Sequence, residues 1–456
     1  MVKSYVVMSE PILNNAQLKD LIECKNFKTL REELIGLDNV YIGELLKEAD
    51  DSNALMCFRL LPKDLAMQVF DYLDPNQQSK LLEAFTDSRA SFFFESMPPD
   101  DRAELLDEVP AKVARRLLRL LSRTERQATL ALLGYEDNTA GRIMTPDFID
   151  LDSRLTVAEA LERVRKLAVE KETIYVAYVM GSGRKLLGTV SLKDLVLTDP
   201  KTPLSAILTE NPKTVNTHTD QEEVARILKD YDLLALPVVD TEFRLVGIVT
   251  WDDVVDILEE EATEDIYRFG AVAATEKGYF ASRIFNVVRS RAVWLVLLLL
   301  VNTVTGSIIA GQEALLGEVV ILAAFIPLLI DTGGNIGSQS ATVVIRGLAT
   351  GEITPRRASS IILREVGVGL MLGLVLAALV LGWAYLLGRS FEVALIASSS
   401  LVGIATMATL TGGSLPFIFR FIKVDPALVS APLITTVMDI FGVVLYFFIA
   451  NLILNF

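Results

Sequence analysis

The sequence predicts a multidomain membrane protein: an all-α helical N domain, an α/β tandem pair, a connecting helix and a five-helix transmembrane domain. Charge separates the soluble part from the membrane part, because residues 1–280 carry 33 Lys+Arg and 50 Asp+Glu, whereas residues 281–456 carry 10 and 8. Apolar segments of the roughly 20 residues that a bilayer requires follow residue 290. We place the four parts at residues 1–140, 141–258, 259–285 and 286–456.

Residues 1–140 carry an apolar repeat with a spacing of 36 residues. Two similar helix starts, Leu-Pro-Lys-Asp at 61–64 and Met-Pro-Pro-Asp at 97–100, are followed by apolar positions that match at the same offset. Proline in a first turn followed by an acid is typical of a helix start. The repeat predicts stacked pairs of helices.

Residues 141–258 alternate between β-rich runs and helix signals. The run Ile174–Met180, a glycine turn and the segment 186–194 recur 59 residues later. The matching positions follow the pattern Gly-apolar-apolar-Ser/Thr-x-x-Asp, with Gly188, Ser191 and Asp194 in the first copy and Gly247, Thr250 and Asp253 in the second. This pattern resembles a tandem pair of CBS domains.

Two roles are open for the Ser/Thr hydroxyl and the Asp carboxylate of each copy. One is a helix N-cap followed by a first-turn acid. In CBS domains the same groups often hold the ribose hydroxyls of adenosine. That resemblance makes ATP a candidate ligand, with Ser191, Asp194, Thr250 and Asp253 as its binding residues.

Residues 251–265 predict an acidic helix that leads toward the membrane. It holds eight Asp and Glu and lacks Lys and Arg. Like charges four residues apart weaken a helix by about 0.2–0.5 kcal/mol per pair. Either this is a solvated face, or divalent cations screen the carboxylates against a neighbouring acidic surface. We favour the cations, because the helix joins the tandem pair to the membrane part.

Five apolar segments predict transmembrane helices: Ala292–Ala310, Val319–Ile345, Val366–Leu387, Val393–Phe419 and Ala427–Leu454. Arg and Lys lie on one side of them, before the first span and in the loops after spans two and four: Arg283, Arg289, Arg291, Arg346, Arg356, Arg357, Arg364, Arg420 and Lys423. The opposite loops hold Arg389 alone. The positive-inside rule then places the N-terminal domains in the cytoplasm and the C-terminus outside the cell membrane. The start of the chain lacks a signal-peptide pattern, which agrees with this orientation.

Span two contains Pro327 and the polar, glycine-rich run 331–340, and span four contains a similar run at 409–416. We expect a broken backbone at both places. Small residues permit close helix packing, and a broken backbone at membrane depth is tolerated where it lines a cavity. Asp331 beside the first run favours a pore lining over packing alone.

Asp439 is a lone carboxylate in the fifth apolar segment. A charge at the centre of a membrane helix costs about 2.5–3.5 kcal/mol on insertion scales, so it usually faces a partner or a water-filled path. A transported cation is the simplest counter-charge.

Composition excludes several classes of site and partner. The acidic soluble part argues against a nucleic-acid partner, which requires a basic surface. Two cysteines without a metal-ligand spacing and a single histidine leave hard oxygen ligands for any metal. No Ser-His, Cys-His or phosphate-loop arrangement is present, so we expect no enzyme activity.

Taken in order, these features resemble the MgtE family of magnesium channels and transporters. The most specific matches are Thr332–Thr342, the segment 425–430 (Asp-Pro-Ala-Leu-Val-Ser) and the surroundings of Asp439. The resemblance implies a homodimer in the lipid membrane with its pore between spans two and five. Asp439 would be the selectivity carboxylate, with Asn335, Gly334 and Asp331 along the same path.

The resemblance also implies Mg²⁺ sites on the cytoplasmic side. The candidate ligands are carboxylates of the N domain, the CBS pair, the connecting helix and the loop before span five: Asp100, Asp101, Glu222, Asp232, Asp253, Asp256, Glu261, Glu264, Asp265 and Asp425. Cytosolic Mg²⁺ bound there would hold the pore closed, and its loss would open it. The expected function is Mg²⁺ uptake, and the alternatives are a secondary transporter of Mn²⁺ or Co²⁺ and a CBS-regulated membrane enzyme or receptor.

Overall fold

The computed structural model describes residues 13–168, 171–272, 284–388, 390–428 and 431–455. The chain forms two compact units, Met1–Leu258 and Glu259–Phe456. The finer division into four parts stays a prediction. Of the positions used above, Arg283, Arg389 and the pair Val429–Ser430 lie outside the described residues, as do residues 273–283 of the expected connecting segment.

The first unit begins with ten short helices: α1 (Asn15–Glu23), α2 (Phe27–Ile35), α3 (Asn39–Glu48), α4 (Asp51–Leu60), α5 (Lys63–Tyr72), α6 (Pro75–Ala84), α7 (Asp87–Ser96), α8 (Pro99–Glu108), α9 (Ala111–Leu120) and α10 (Arg123–Leu132). From α4 to α10 every helix has ten residues and starts twelve residues after the one before it. The residues preceding these helices are extended, with ψ near 150°, so each connection turns the chain within two residues. The 36-residue register seen in the sequence is therefore three such units.

These helices pack on their second neighbours, because α3 contacts α5, α4 contacts α6, α6 contacts α8, and α7 contacts α9. Alternate helices therefore form two rows, which is the contact pattern of the stacked helix pairs that the sequence predicted, and one helix with its connection supplies the twelve-residue period. An aromatic core fills the stack: the Phe58 ring lies 5.5 Å from Phe93, and Phe70 lies 5.0 Å from Phe93, between centroids.

Two small sheets follow within the same unit. The first has the order β1-β2-β3-β4, and the second has the order β5-β6-β7. The strands are β1 (Ile149–Asp152), β2 (Val176–Met180), β3 (Leu186–Ser191), β4 (Thr209–Glu210), β5 (Val215–Asn216), β6 (Ala235–Val239) and β7 (Leu245–Thr250). The interleaved helices are α11 (Ala140–Ile143), α12 (Val157–Leu167), α13 (Leu192–Leu197), α14 (Gln221–Asp230) and α15 (Trp251–Phe269). β2–β3 and β6–β7 are antiparallel pairs related by the 59-residue offset found in the sequence.

Among its described residues, the second unit contains five helices that are long and apolar enough to cross a membrane. They are α16 (Ile284–Ala310), α18 (Ile326–Ala349), α19 (Ala358–Gly388), α20 (Phe391–Phe421) and α21 (Ala431–Leu454), with the short α17 (Glu313–Glu318) after the first. α18 contacts both α20 and α21, and α16 lies on α21. Together with the helical N-terminal region and the two α/β sheets, these helices confirm the predicted fold class.

The expected breaks in spans two and four are wrong. α18 runs without interruption from Ile326 through its glycines to Ala349, and α20 continues through Pro416 to Phe421. The irregular backbone lies earlier, in a 3₁₀ turn at Val320–Phe325. The glycines serve close packing instead: a Cβ on Gly412 would lie 2.2 Å from the Gly337 carbonyl oxygen. Helix–helix packing is therefore established for this face of α18.

Candidate functional site

Three carboxylates meet in the first unit where α8 and α15 begin. One oxygen from each of Asp100, Asp101 and Asp253 lies within 4.8 Å of the others. Apolar packing one turn further along holds them there, because Ala103 of α8 belongs to the same buried core as Val254 and Ile257 of α15. All three are first-turn acids, so the positive end of a helix dipole partly offsets their repulsion.

Asp100 is the most deeply placed of the three, with 9% of its surface exposed. Among the described residues, its Oδ1 atom is buried and has no hydrogen-bond partner. A buried carboxylate oxygen without a partner carries a desolvation cost that a bound cation would offset. The buried Oδ1 of Asp100 is therefore the feature that is consistent with a metal ion at Asp100, Asp101 and Asp253.

Burial and mutual repulsion raise the pKa values of this group. Desolvation followed by the charge of Asp253 raises the pKa of Asp101 to about 7, and the same two causes raise the pKa of Glu172 to about 7. Desolvation raises the pKa of Asp253 to about 6 against the opposing hydrogen bond from Thr250, and it raises that of Asp100 well above its usual range. The cluster therefore holds protons near neutral pH that a divalent cation would displace.

The hydroxyl and carboxylate of each CBS copy interact with each other. Ser191 Oγ donates to Asp194 Oδ2 at 2.6 Å, and Thr250 Oγ1 donates to Asp253 Oδ2 at 2.7 Å. Ser191 Oγ also accepts a hydrogen bond from the Asp194 backbone N–H at 3.0 Å. This is the helix N-cap that was one of the two roles expected from the sequence. Asp253 thus belongs both to the acidic cluster and to one of these hydroxyl–carboxylate pairs.

The other acids predicted in this unit are not brought into such a group. Within the described residues, the cluster at Asp100 is the one set of three metal-ligating side chains found within ligand distance. Glu222 lies in the first turn of α14, whereas Asp232 follows its end in a left-handed conformation with φ 51°. Asp256 is exposed one turn after Asp253.

In the second unit the end of α15 pairs with the loop before α21. Arg268 in the last turn of α15 donates to both Glu264 and Asp425, and all three side chains are about one-third exposed. Burial and the nearby charge of Asp425 raise the pKa of Asp265. Glu261 also acts on Asp265, so four of the predicted acids share this area with one guanidinium.

The third site is a polar stripe on α18. Asp331, Asn335 and Gln339 follow one another at four-residue spacing and are exposed, while Gly333 and Gly337 on the opposite side and Gly334 at the edge of the stripe are buried. Asn335 Nδ2 donates to Asp331 Oδ2 at 3.2 Å. On α21, Asp439 is partly buried, and Asn302 of α16 and Asp331 of α18 lie close enough to interact with its carboxylate. Gly334 packs on Thr435, so this glycine brings α21 close to the stripe.

Sequence reasoning missed several of these residues. Glu172 and Arg268 carry no local signal, because only folding brings them to the acids. Asn302 likewise has no motif of its own. Gln339 was recoverable, since it continues the four-residue spacing of Asp331 and Asn335, and so was Glu365, a carboxylate directly before the apolar run of the third span.

Three family models match the chain. The model described as MgtE, divalent cation transporter, matches residues 326–449, and the MgtE intracellular N domain model matches residues 37–138. The CBS domain model matches twice, at residues 140–199 and 204–260. The first CBS match covers β1–β3, and the second covers β5–β7 together with β4, which pairs with the first sheet.

Curated relatives match over nearly the whole length. The chain is 40% identical to "Magnesium transporter MgtE" of Thermus thermophilus, over 96% of this chain and 98% of that protein. It is 32% identical to the protein of the same name from Bacillus subtilis, over 94% of both. Among solved structures, the cytosolic domain of the Mg²⁺ channel MgtE in complex with ATP covers 53% of this chain and 99% of its own, with 37% identity and a TM-score of 0.50.

The raised pKa values predict how pH and Mg²⁺ act on stability. In the folded state the pKa values of Asp101, Glu172 and Asp253 are about 6 to 7, above the ordinary carboxylate pKa of 3.8 to 4.5. At a pH between these limits the folded state therefore binds more protons than the unfolded state. The cluster's contribution to stability is therefore present below the ordinary carboxylate pKa and is lost as the pH rises through 6 to 7. We expect Mg²⁺ to raise the melting temperature of the full chain by about 3 °C more at pH 8 than at pH 5.5.

Thermal unfolding of the purified chain in detergent measures this difference. Asp101→Asn should reduce it, and Asp230→Asn, at an exposed acid at the end of α14, should leave it unchanged. An equal effect of Mg²⁺ at both pH values in the native chain would contradict the prediction.

Proposed function

The chain belongs to the MgtE family of magnesium transporters, as its sequence resemblance predicted, and from this premise we propose that it is a Mg²⁺-selective channel for Mg²⁺ uptake, closed by cytosolic Mg²⁺. The single observation that carries the proposal is the exposed polar stripe of α18 beside Asp439, in helices otherwise apolar enough for lipid. Such a stripe is costly against lipid and favourable along water. We propose that Asp331, Asn335, Gly334 and Asp439 belong to the ion path.

The chemistry of the stripe suits a hydrated ion. Mg²⁺ gives up its inner water shell reluctantly, and dedicated all-protein cages for it are uncommon. Amide groups such as Asn335 hydrogen-bond to that water shell, while the Asp439 carboxylate supplies the counter-charge. The path then selects by the size and charge of the hydrated ion rather than by stripping it.

We propose a homodimer in the cell membrane, with the soluble domains in the cytoplasm and the C-terminus outside. A second copy would place another Asp439 and another α18 stripe across a two-fold axis, so that both stripes are withdrawn from lipid. The basic residues before the first span and in the loops after spans two and four support this orientation.

We propose that gating is a population shift driven by ion binding. Mg²⁺ bound at Asp100, Asp101 and Asp253 would favour the closed form, because it offsets the repulsion and desolvation of these acids. The further ligands that we propose on the acidic faces are Glu222, Asp232, Asp256, Glu261, Glu264, Asp265 and Asp425. Loss of the ions leaves like charges together, which favours a form with the acidic faces apart.

We also propose ATP binding by the CBS pair. A relative's cytosolic domain has been solved with ATP, and the two hydroxyl–carboxylate pairs here, Ser191–Asp194 and Thr250–Asp253, offer acceptors for ribose hydroxyls. Because Asp253 also lies in the acidic cluster, nucleotide and metal would share this side chain.

Asp439→Ala should abolish Mg²⁺ flux into proteoliposomes, because the path loses its counter-charge. Glu392→Ala removes an exposed carboxylate at the start of α20 and should leave flux unchanged. Flux that survives Asp439→Ala would contradict the proposed ion path. Uptake that needs an added H⁺ or Na⁺ gradient, or that carries Mn²⁺ or Co²⁺ in preference, would favour the secondary transporter.

Neutralising Asp253, Asp256 and Glu261 together should weaken closure by Mg²⁺. We expect the cytoplasmic Mg²⁺ concentration that halves the flux to rise by at least about tenfold, within the usual range of allosteric coupling. The matched control neutralises Glu162, Glu223 and Asp230, three exposed acids of the first unit. An unchanged half-inhibiting concentration in the first variant would refute this role of the acids.

Thr250→Ala should weaken ATP binding by about tenfold, because a hydrogen bond that organises a charged group is lost. Calorimetric titration of the full chain with ATP measures the change. Thr156→Ala is the control, since Thr156 also caps a helix of this unit through its hydroxyl. Equal losses in both variants would argue for a general effect on folding.

A further inference from the structure

Glu365 is a carboxylate of the third membrane helix that the proposed ion path does not use. It lies in α19 directly before the uninterrupted apolar run Val366–Leu387, and its side chain is partly buried. A partly buried carboxylate is costly unless a hydrogen bond satisfies it. Glu365 therefore requires an explanation other than lipid contact.

The partner of Glu365 is Ser340 on α18. Ser340 is 5% exposed, and its Oγ lies 2.7 Å from Glu365 Oε2 as donor and 3.2 Å from the Thr409 carbonyl oxygen of α20. A Cβ on Gly413 would lie 3.2 Å from Glu365 Cγ, so the Glu365 stem fills the space above that glycine. One hydroxyl thus joins three membrane helices.

This contact lies behind the polar stripe. At 100° per residue, Ser340 lies about 180° around α18 from Asp331 and about 140° from Asn335. The direction in which the stripe points therefore depends on the rotation of α18 about its axis, which the contact on the opposite side restrains.

We propose that Glu365 is a positioning residue: by accepting the Ser340 hydrogen bond it fixes the rotation of α18 on α19 and α20, and so aims the stripe into the ion path. The neighbouring glycine contacts, such as Gly337 on Gly412, allow close approach but are not directional. A hydrogen bond is directional. The transport consequence rests on the proposed function, whereas the helix contact does not.

The test compares Ser340→Ala, Glu365→Met, the double variant and Glu365→Gln in the full chain. Proteoliposome flux of Mg²⁺ and its ratio to Ca²⁺ flux are measured, with melting temperature in detergent. We expect each single variant to lower Mg²⁺ flux by about fivefold and to change the Mg²⁺:Ca²⁺ ratio, and the double variant to be no worse than the poorer single one. Glu365→Gln keeps an acceptor oxygen and should stay within about twofold of the native chain.

Ser398→Ala is the matched control, because Ser398 is equally buried but donates within its own helix, to the Ala394 carbonyl oxygen at 2.7 Å. It should change neither flux nor the ion ratio. Native flux in Ser340→Ala with an unchanged ratio, additive losses in the double variant, or a loss in Glu365→Gln equal to that in Glu365→Met would each overturn the proposal.

The melting temperatures separate this proposal from the proposed function. If the native chain carries no Mg²⁺, the proposed function fails, and the helix contact is then decided by the same four variants in thermal unfolding. Non-additive shifts for Ser340→Ala and Glu365→Met would support the contact. Additive shifts would refute it.

Discussion

The cost of removing carboxylates from water constrains this molecule more than any other interaction. In the first unit, carboxylate oxygens of Asp100, Asp101 and Asp253 are held within 4.8 Å of one another, although all three groups are negatively charged when ionised. Apolar packing of Ala103 with Val254 and Ile257 outweighs that repulsion. The fold therefore holds an unfavourable arrangement of charges, which protons relieve and which, on the proposed function, Mg²⁺ would relieve as well.

In the membrane helices the cost of removing polar groups from water is reduced because polar side chains and the small residues that pack against other helices lie on different sides of a helix. On α18 a 3.6-residue period puts Asp331, Asn335 and Gln339 on one side and Gly333 and Gly337 on the other. Because a glycine exposes its backbone, α20 approaches α18 closely enough for Gly412 to touch the Gly337 carbonyl oxygen. Close packing on one side thus leaves the polar side free to meet water or a second copy.

Much of this arrangement could be predicted from the sequence, because its signals are local. The five spans follow from hydropathy, and the two sheets follow from a repeat in which glycine, hydroxyl and acid keep their spacing. The breaks expected at the glycines were wrong, since a helix supported by neighbours on several sides tolerates residues that are weak helix formers alone. The twelve-residue unit is also a local signal, because an apolar residue follows each helix at a spacing of twelve, at Leu61, Leu73, Phe85, Met97, Val109 and Leu121, and the 36-residue register is three of these steps.

What the sequence could not provide is the pairing of distant charges, and Asp425 illustrates the consequence. Its carboxylate accepts from Arg268, which also holds Glu264. A guanidinium already supplies part of the positive charge that a metal ion would bring to these acids. On the proposed gating, Mg²⁺ at Asp425 must compete with Arg268 or share the acids with it. An ion that displaced Arg268 would free its guanidinium beside Asp265. Burial and the charge of Asp425 raise the pKa of Asp265. On this proposal the affinity of the area for Mg²⁺ would be set by the difference between two cations, whereas the Asp100 cluster, whose Oδ1 has no hydrogen-bond partner among the described residues, would gain from a cation in full.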